Sequence, residues 1–540
     1  MPDFFSFDCG CKFPIIGGME SFPLVDFSPN LEKINLNCQR TWDLISNGNT
    51  KGCFQLESRL GQTMARKLKP ENIEQLSGLI SILRPGCLEA YREGKSVSNH
   101  YIDKKNGLES IDYFHPSLED ILRNTYSEMV YQEQAMQISQ KIAGFDLQEA
   151  DMLRKAIGKK RPEEMAKVKT KFIEGAIKQK IVSQKEAEEI FGWIEKSQRY
   201  SFNKSHAISY AINAYMSAYT KAHFPKIFFA SYLRFAKDKI DPQQEIKELV
   251  RNATEMDIDV SIPDFRNKNE LFILKDKKIY FGLTDIKGVG KSVYKQILES
   301  TLNEQLETTS WLQILTRILV NINTTASKAL ISAGAFDYLK KHRTEMLFEY
   351  DICTSLTKKE IDYLKEIVID DKIKLSEAIK QLIQINKINK NRKIILQNLI
   401  NTIHKPPYSL VDKIEWLSDS ENSLLGVAIT CSKIDTYDIS MTNCNCKTFK
   451  TSTITNNIIM AGEISNINIT KTKTGKNPGQ EMAFLSVEDQ YGIIDSVIFF
   501  PEQLSKYRNH LFIGNILVFV GSRSKTKDGF VVEKCFIPMT

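Results

Sequence analysis

Tyr200-Ser-Phe-Asn-Lys-Ser-His-Ala-Ile-Ser-Tyr210 places a run of polar and aromatic side chains directly ahead of an apolar-patterned segment. Ser201, Phe202, Asn203, Lys204, Ser205 and His206 can donate, accept or stack; Ile208, Ala211, Ile212, Tyr215 and Met216 then recur at helical spacing. A donor-rich turn at a helix N-terminus suits an anion, because unpaired backbone N–H groups and the helix dipole point the same way. The plainer alternative is a Ser-rich cap with His206 packed against a neighbour. The stretch alone does not choose between them.

Its neighbours do. Upstream lie Phe54-Gln-Leu-Glu-Ser58, Leu83-Arg-Pro-Gly86, Tyr131-Gln-Glu-Gln-Ala-Met-Gln137 and Gly144-Phe-Asp-Leu-Gln-Glu-Ala-Asp-Met-Leu-Arg-Lys-Ala-Ile-Gly-Lys-Lys160; downstream is Lys221-Ala-His-Phe-Pro225. In that order these segments closely resemble the fingers of the C-family bacterial replicative DNA polymerases, the alpha subunit of DNA polymerase III. Ordered blocks at matching separations are far more specific than any one short motif. A phage- or bacterium-encoded member is expected.

The 540 residues are too many for one core, and 42% hydrophobic with 26% charged residues describes a globular chain. A net charge of +7 permits nucleic acid without demanding it. No run reaches the length of a transmembrane span and no signal peptide opens the chain, so no membrane partner is expected. Ten irregularly spaced cysteines argue against a disulfide framework and for a reducing, cytoplasmic setting.

The expected organisation is multidomain and mostly α, with a small all-β OB-fold at the carboxy terminus. Residues 1–50 read as irregular, broken by Pro14, Gly17-Gly18, Pro23 and Pro29. Cys9-Gly-Cys11 invites a zinc reading, but the other close pair, Cys444-Asn-Cys446, is remote in sequence. Buried thiols are the expectation, with no metal ligands assigned and an independent zinc enzyme only a minor alternative.

Residues 51–235 are mostly helical in periodicity, with breakers between the helices, and form the fingers-like domain, Pro162 with Glu163 and Glu164 making a good helix start. Transfer of a nucleotidyl group from a dNTP needs cations and donors that hold the triphosphate in line. Arg154, Lys155, Lys159 and Lys160 sit at one helix end that the resemblance places in the fingers; Asn203, Lys204, Ser205 and His206 supply a second group. Both are expected to meet in one triphosphate pocket. Otherwise Lys159-Lys-Arg161 is a solvated charge run.

Residues 236–345 are mixed. Ile279-Tyr-Phe-Gly282 reads as a strand leading into Leu283-Thr-Asp-Ile-Lys-Gly-Val-Gly-Lys-Ser292, whose end mimics a phosphate-binding loop. Asp285 stands where that loop needs its first glycine and would repel phosphates. A helix-hairpin-helix turn fits better: Gly288 and Gly290 let the backbone approach a DNA phosphate, with Lys287 and Lys291 beside them. The resembled family carries a closely similar segment in its clamp-binding domain, and Ala326–Asp337 matches that domain too.

Residues 346–454 read as a helical linker region. From 455 to 540 five strands are expected at Ile458–Ile464, Met482–Val487, Ile493–Phe499, Ile516–Val520 and Phe530–Lys534, with a helix at Pro501–Arg508 before the fourth. Lys471, Lys473, Lys476, Lys525 and Lys527 lie in basic glycine turns suited to the mouth of a barrel that grips single-stranded nucleic acid.

The resemblance implies Mg2+ ions held by palm aspartates, yet only Asp8 and Asp26 precede Phe54 in any trace of that pattern, and one carboxylate does not make a two-metal site. No catalytic residue is therefore assigned. The expectation is a split polymerase that grips primer–template DNA and dNTP and takes its palm from another chain. The alternative is a non-catalytic DNA-binding replisome component. A sliding clamp is a further expected partner, although Glu345–Phe348 and Gln397–Ile400 are poor clamp peptides.

Overall fold

The structure is a computed structural model. It describes residues 4–19, 22–25, 27–28, 30–158, 162–197, 200–302, 305–306, 308–368, 373–385, 388–451, 453–472, 478–524 and 529–539. The chain divides into two compact units, Met1–Pro225 and Lys226–Thr540.

The first unit corrects the expectation of an irregular amino terminus. Phe4–Ser6 (β1), Lys12–Met19 (β2) and Phe22–Val25 (β3) form an antiparallel sheet in that order. The glycine pair taken for a breaker is absorbed as a register shift between Ile15 and Gly17 against β3. A helix follows at Gln39–Ser46.

The remainder of this unit is helical. Ile73–Ile82 (α1) is capped by Asn72, whose side chain accepts the Gln75 N–H. Gln132–Ala143 (α2) ends at Gly144, whose φ of +68° the left-handed cap requires. Leu147–Gly158 (α3) and Pro162–Gln179 (α4) then pack on α2 around Ile138, Ile142, Leu153 and Phe172. Lys204–His223 (α5) lies against α1. Its buried Ala207, Ala211, Ala214 and Ala218 recur at helical spacing, a run of small side chains that permits close packing of helix on helix.

In the second unit, Pro225–Phe235 contributes Phe229 and Leu233 to the core, so that helix packs beyond the first unit. The segment expected as a helical linker shares this core as well: Met346, Leu364, Ile379, Leu396 and Leu425 belong to the same cluster as Phe229. Arg343 shows why the two parts are inseparable. It is 2% exposed and pairs with Asp337 at 2.6 Å and with fully buried Glu421 at 2.8 Å. Glu421 also accepts the Ile429 and Thr430 N–H groups, so the buried charges are all bonded.

The barrel matches expectation. Ile458–Lys471 (β4), Glu481–Asp489 (β5), Gly492–Phe499 (β6), Ile516–Arg523 (β7) and Phe530–Phe536 (β8) close in the order β5-β6-β8-β7-β4. The one parallel pairing, β6 with β8, completes the closure, and the helix Pro501–Tyr507 lies between β6 and β7 in sequence. Glu488 of β5 fastens the barrel to Pro242–Glu255 (α6) through Lys247 at 2.7 Å and Arg251 at 2.5 Å.

Candidate nucleotide and nucleic-acid grips

The turn before α5 is held from one side by the start of α2. The Phe202 N–H donates to the Val130 carbonyl and the Gln132 N–H to the Phe202 carbonyl, each at 2.9 Å. Asn203 caps α5, its Oδ1 accepting the His206 N–H at 2.9 Å. Glu133 supplies the anion that the donor-rich turn was read to want: its carboxylate accepts the Lys204 N–H at 2.9 Å and the Asn203 side-chain N–H at 2.8 Å. The backbone of this turn is thus largely engaged within the protein.

What faces outward is a set of side chains. Ser205 and His206 are exposed, and the His206 ring lies 4.1 Å from Tyr210 and edge-on to Phe202 at 5.3 Å. Lys204 pairs with Glu74 of α1 at 2.8 Å and sits 5.5 Å above the Tyr131 ring. Arg84, from Leu83-Arg-Pro-Gly86, stacks its guanidinium 3.5 Å over Phe202 and is exposed. Arg84 was not assigned as a site residue; its place in a matching block was a usable signal, but its contact with Phe202 spans too much sequence to be read.

The other predicted cations behave differently. Arg154 and Lys155 each pair with Asp151 at 2.7 Å, and those bonds, Lys155 first and Arg154 second, hold the Asp151 carboxyl below the usual aspartate range. Lys159 and Lys160 lie outside the described residues. Among the described residues no hydrogen bond or ion pair joins Arg154 or Lys155 to Asn203–His206. Both groups are supported on α2: Glu133 in its first turn braces the Asn203 turn, and α3 packs along it after a short reversal at Gly144–Asp146.

The glycine turn of the second unit is open. Gly288 has a φ of +98°, and Gly290 caps Lys291–Ser300 (α7) without a side-chain hydrogen bond. A Cβ at Gly290 would meet nothing within 4 Å. Lys287 and Lys291 are exposed; the Lys287 N–H donates to the Leu424 carbonyl at 2.9 Å, and Lys291 pairs with Glu270 at 3.7 Å. Asp285 turns inward, its carboxylate accepting the Gly282 N–H at 3.0 Å, and burial pushes its carboxyl up to about 7.

On the barrel, Lys471 is exposed at the end of β4, in register with Glu481. Lys473, Lys476, Lys525 and Lys527 lie outside the described residues, as does Asp26. Asp8 is exposed in the turn after β1. Among the described residues no group of three or more carboxylates converges, so the described residues do not fit a catalytic Mg2+ pair. Of the poor clamp peptides, Met346, Phe348 and Ile400 are buried in the core.

Of the two thiols expected to be buried, Cys11 is buried and Cys9 half-buried, and their neighbours come from elsewhere in the chain. Cys446 is buried in the barrel core, whereas Cys38 and His223 lie beside Cys9 and Cys11, the four ligand atoms all within 4.8 Å of one another. Neither partner carries a sequence signal, because Cys38 stands alone and His223 reads as part of a helix end.

Two family models match the chain: the bacterial DNA polymerase III alpha subunit finger domain over residues 25–180, and a helix-hairpin-helix motif over 255–346. Among curated relatives, the chain is 30% identical to the DNA polymerase III subunit alpha of Aquifex aeolicus over 475 residues, covering 87% of this chain and 36% of that protein. It is 30% identical to that of Borreliella burgdorferi over 98% of this chain and 44% of the relative. Identity to the Thermus aquaticus subunit is 37% over 57% of this chain and 25% of the relative. The chain therefore spans less than half the length of the relatives it matches. Among its described residues no helix is long and apolar enough to cross a membrane.

Proposed function

We propose that this chain, a relative of the bacterial DNA polymerase III alpha subunits through its finger and helix-hairpin-helix regions, works as part of a DNA-directed DNA polymerase in replication. Its own task is to grip the dNTP triphosphate and the primer–template duplex. The carboxylates that hold the catalytic Mg2+ are not among the described residues. The observation that carries this reading is the set of Arg84, Lys204, Ser205 and His206 presented around one turn whose backbone Glu133 already occupies. Side chains rather than backbone N–H groups then meet the phosphates, and Arg84 can move from the Phe202 face to a phosphate without breaking a carboxylate pair. Arg154 and Lys155 serve the same triphosphate or the adjacent template by exchanging Asp151, an exposed pairing that contributes little by itself. At the duplex, the Gly288–Gly290 turn binds a phosphate without reading sequence, and the barrel takes the single strand.

A second reading, a DNA-binding replisome component without chemistry, is favoured by the engagement of Lys204 with Glu74 and of Arg154 with Asp151. Primer extension separates them. The chain alone should incorporate no nucleotide, and addition of a palm-bearing polypeptide should produce extension that Lys204→Ala reduces about tenfold or more. Extension by residues 1–540 alone, abolished in Asp8→Ala, would overturn this division of tasks; no extension with any palm-bearing partner would favour the second reading.

A further inference from the structure

The turn between β1 and β2 carries Cys9 and Cys11, Cys38 precedes the helix Gln39–Ser46, and His223 is the last residue of α5. Three remote segments thus deliver three sulfur atoms and one ring nitrogen to a single point, all four within 4.8 Å of one another. Among the described residues this is the one such group of potential metal ligands. We propose that Cys9, Cys11, Cys38 and His223 form a structural zinc site that staples the amino-terminal hairpin to the end of α5. The site is independent of the polymerase reading.

The distances suit a tetrahedral ion. Zinc–sulfur bonds of about 2.3 Å and zinc–nitrogen bonds of about 2.0–2.1 Å set tetrahedral edges of about 3.8 Å between sulfurs and about 3.6 Å between sulfur and nitrogen. His223 Nε2 lies 3.3 Å from Cys9 Sγ and 3.8 Å from Cys38 Sγ. The other ring nitrogen, Nδ1, is 2.9 Å from the Tyr219 carbonyl, which can only accept, so Nδ1 carries the proton and Nε2 presents its lone pair to the sulfurs. That is the outer bond a metal-bound imidazole characteristically makes.

The surroundings reinforce the assignment. Gly10, with a φ of +80°, turns the chain between Cys9 and Cys11, and the Phe7 N–H donates to the Cys11 carbonyl at 2.9 Å to close the loop. The Cys38 N–H donates to the Tyr215 hydroxyl at 3.2 Å, and that hydroxyl donates to the Asn35 carbonyl at 2.7 Å, fixing the third ligand from α5 itself. Phe7 and Phe13 meet the His223 ring edge-on at 4.8 and 5.6 Å, shielding it with apolar surface. Thiols are weak hydrogen-bonding groups, so without an ion this interior joins four polar atoms poorly; zinc gives each a bond. Three thiolates with Zn2+ leave one net negative charge, and Arg40, 5.4 Å over the Phe7 ring and donating to the Ala222 carbonyl, places a cation nearby. Soft sulfur ligands in tetrahedral array select zinc over the hard Mg2+ of phosphoryl transfer.

The function of such an ion is mechanical. The sheet β1–β3 is small, and the ion closes long loops, between Cys11 and Cys38 and between Cys38 and His223, that would otherwise be held by aromatic packing. The test is metal analysis of the full chain purified under reducing conditions from zinc-supplemented cells. One zinc per chain, with X-ray absorption at the zinc edge resolving three sulfur neighbours and one nitrogen, is the expected result and needs no variant. Cys38→Ser and His223→Ala should each lose the ion or bind it at least tenfold more weakly in a competition titration, whereas Cys431→Ser should retain it. Stripping the metal should open residues before Cys38 to limited proteolysis. A reduced chain that holds no zinc and takes up none from solution would overturn the proposal, as would a shell of oxygen and nitrogen neighbours, or undiminished zinc in both variants.

Discussion

Two turns were read as phosphate grips, and they differ in who occupies the backbone. At Asn203–His206, Glu133 and Asn203 already take the Lys204 and His206 amides, and Lys204 is paired with Glu74. At Lys287–Lys291 no side chain caps α7, Gly290 faces open space, Lys287 is exposed, and Lys291 is held by a loose 3.7 Å pairing with Glu270. A bare hairpin can accept any phosphate that reaches it, which suits a sequence-indifferent hold on duplex DNA. A turn braced by its own carboxylate admits a ligand only through side chains that must leave existing partners. Such a ligand must bring enough charge to compete, as a triphosphate does.

The largest expected effect lies at the open turn. Lys287→Glu combined with Lys291→Glu should weaken duplex binding by about tenfold or more at low salt and reduce the salt slope by about 2, as loss of two phosphate contacts requires. Binding measured across a salt series checks this, and an unchanged slope would remove the hairpin from the DNA interface. Next comes the contrast between its two glycines. Gly288→Ala puts a side chain at a φ of +98° and should cost about 1–2 kcal/mol of stability in denaturant titration. Gly290→Ala, with open space around its new Cβ, should cost less, about 0.5–1 kcal/mol for a poorer helix cap, yet weaken duplex binding by holding the phosphate away from the backbone.

At the closed turn the sign reverses. Glu133→Gln removes a negative charge beside the expected triphosphate while retaining an acceptor for the Lys204 N–H. It should tighten dNTP binding about two- to fivefold, the gain from relieving one like-charge neighbour near a protein surface. A weaker affinity would mean that Glu133 positions the turn more than it guards it. The smallest effect concerns Asp285 beneath the hairpin. Its carboxyl is raised to about 7 by burial, so the stability it contributes is full below the ordinary aspartate range and is lost as pH rises through about 7. Unfolding followed from pH about 5 to about 8 should show that decline, and Asp285→Asn should flatten it.

The contrast also explains what could be read from the chain. The five barrel strands were legible because alternation and glycine turns are local signals, and the Gly288-Val-Gly290 turn because its residue types act through the backbone. Glu133 as the occupant of a helix start distant in sequence was not legible, since its block looks the same whether it faces solvent or a neighbour. The sheet β1–β3 was hidden by glycines and prolines that a register shift accommodates. Residues 346–454 read as a linker because the Lys- and Ile-rich faces of their helices do not announce that those helices join the core of residues before 345 through Arg343 and Glu421. Cys38 and His223 became partners of Cys9 and Cys11 only once α5 brought its far end back to the first strands. The shared triphosphate pocket of the two cation groups remains a proposal resting on their common support, α2.

The central claim is that the closed turn serves a nucleotide and the open turn serves duplex DNA. An equilibrium titration of dNTP against the wild-type chain, Arg84→Ala and Lys204→Ala, with duplex binding measured on the same preparations, tests it most directly. The account predicts that each substitution weakens dNTP binding about tenfold, the worth of one charge-assisted phosphate contact, and leaves duplex affinity unchanged. Equal dNTP binding by all three proteins, or a loss of duplex affinity in place of nucleotide affinity, would contradict it.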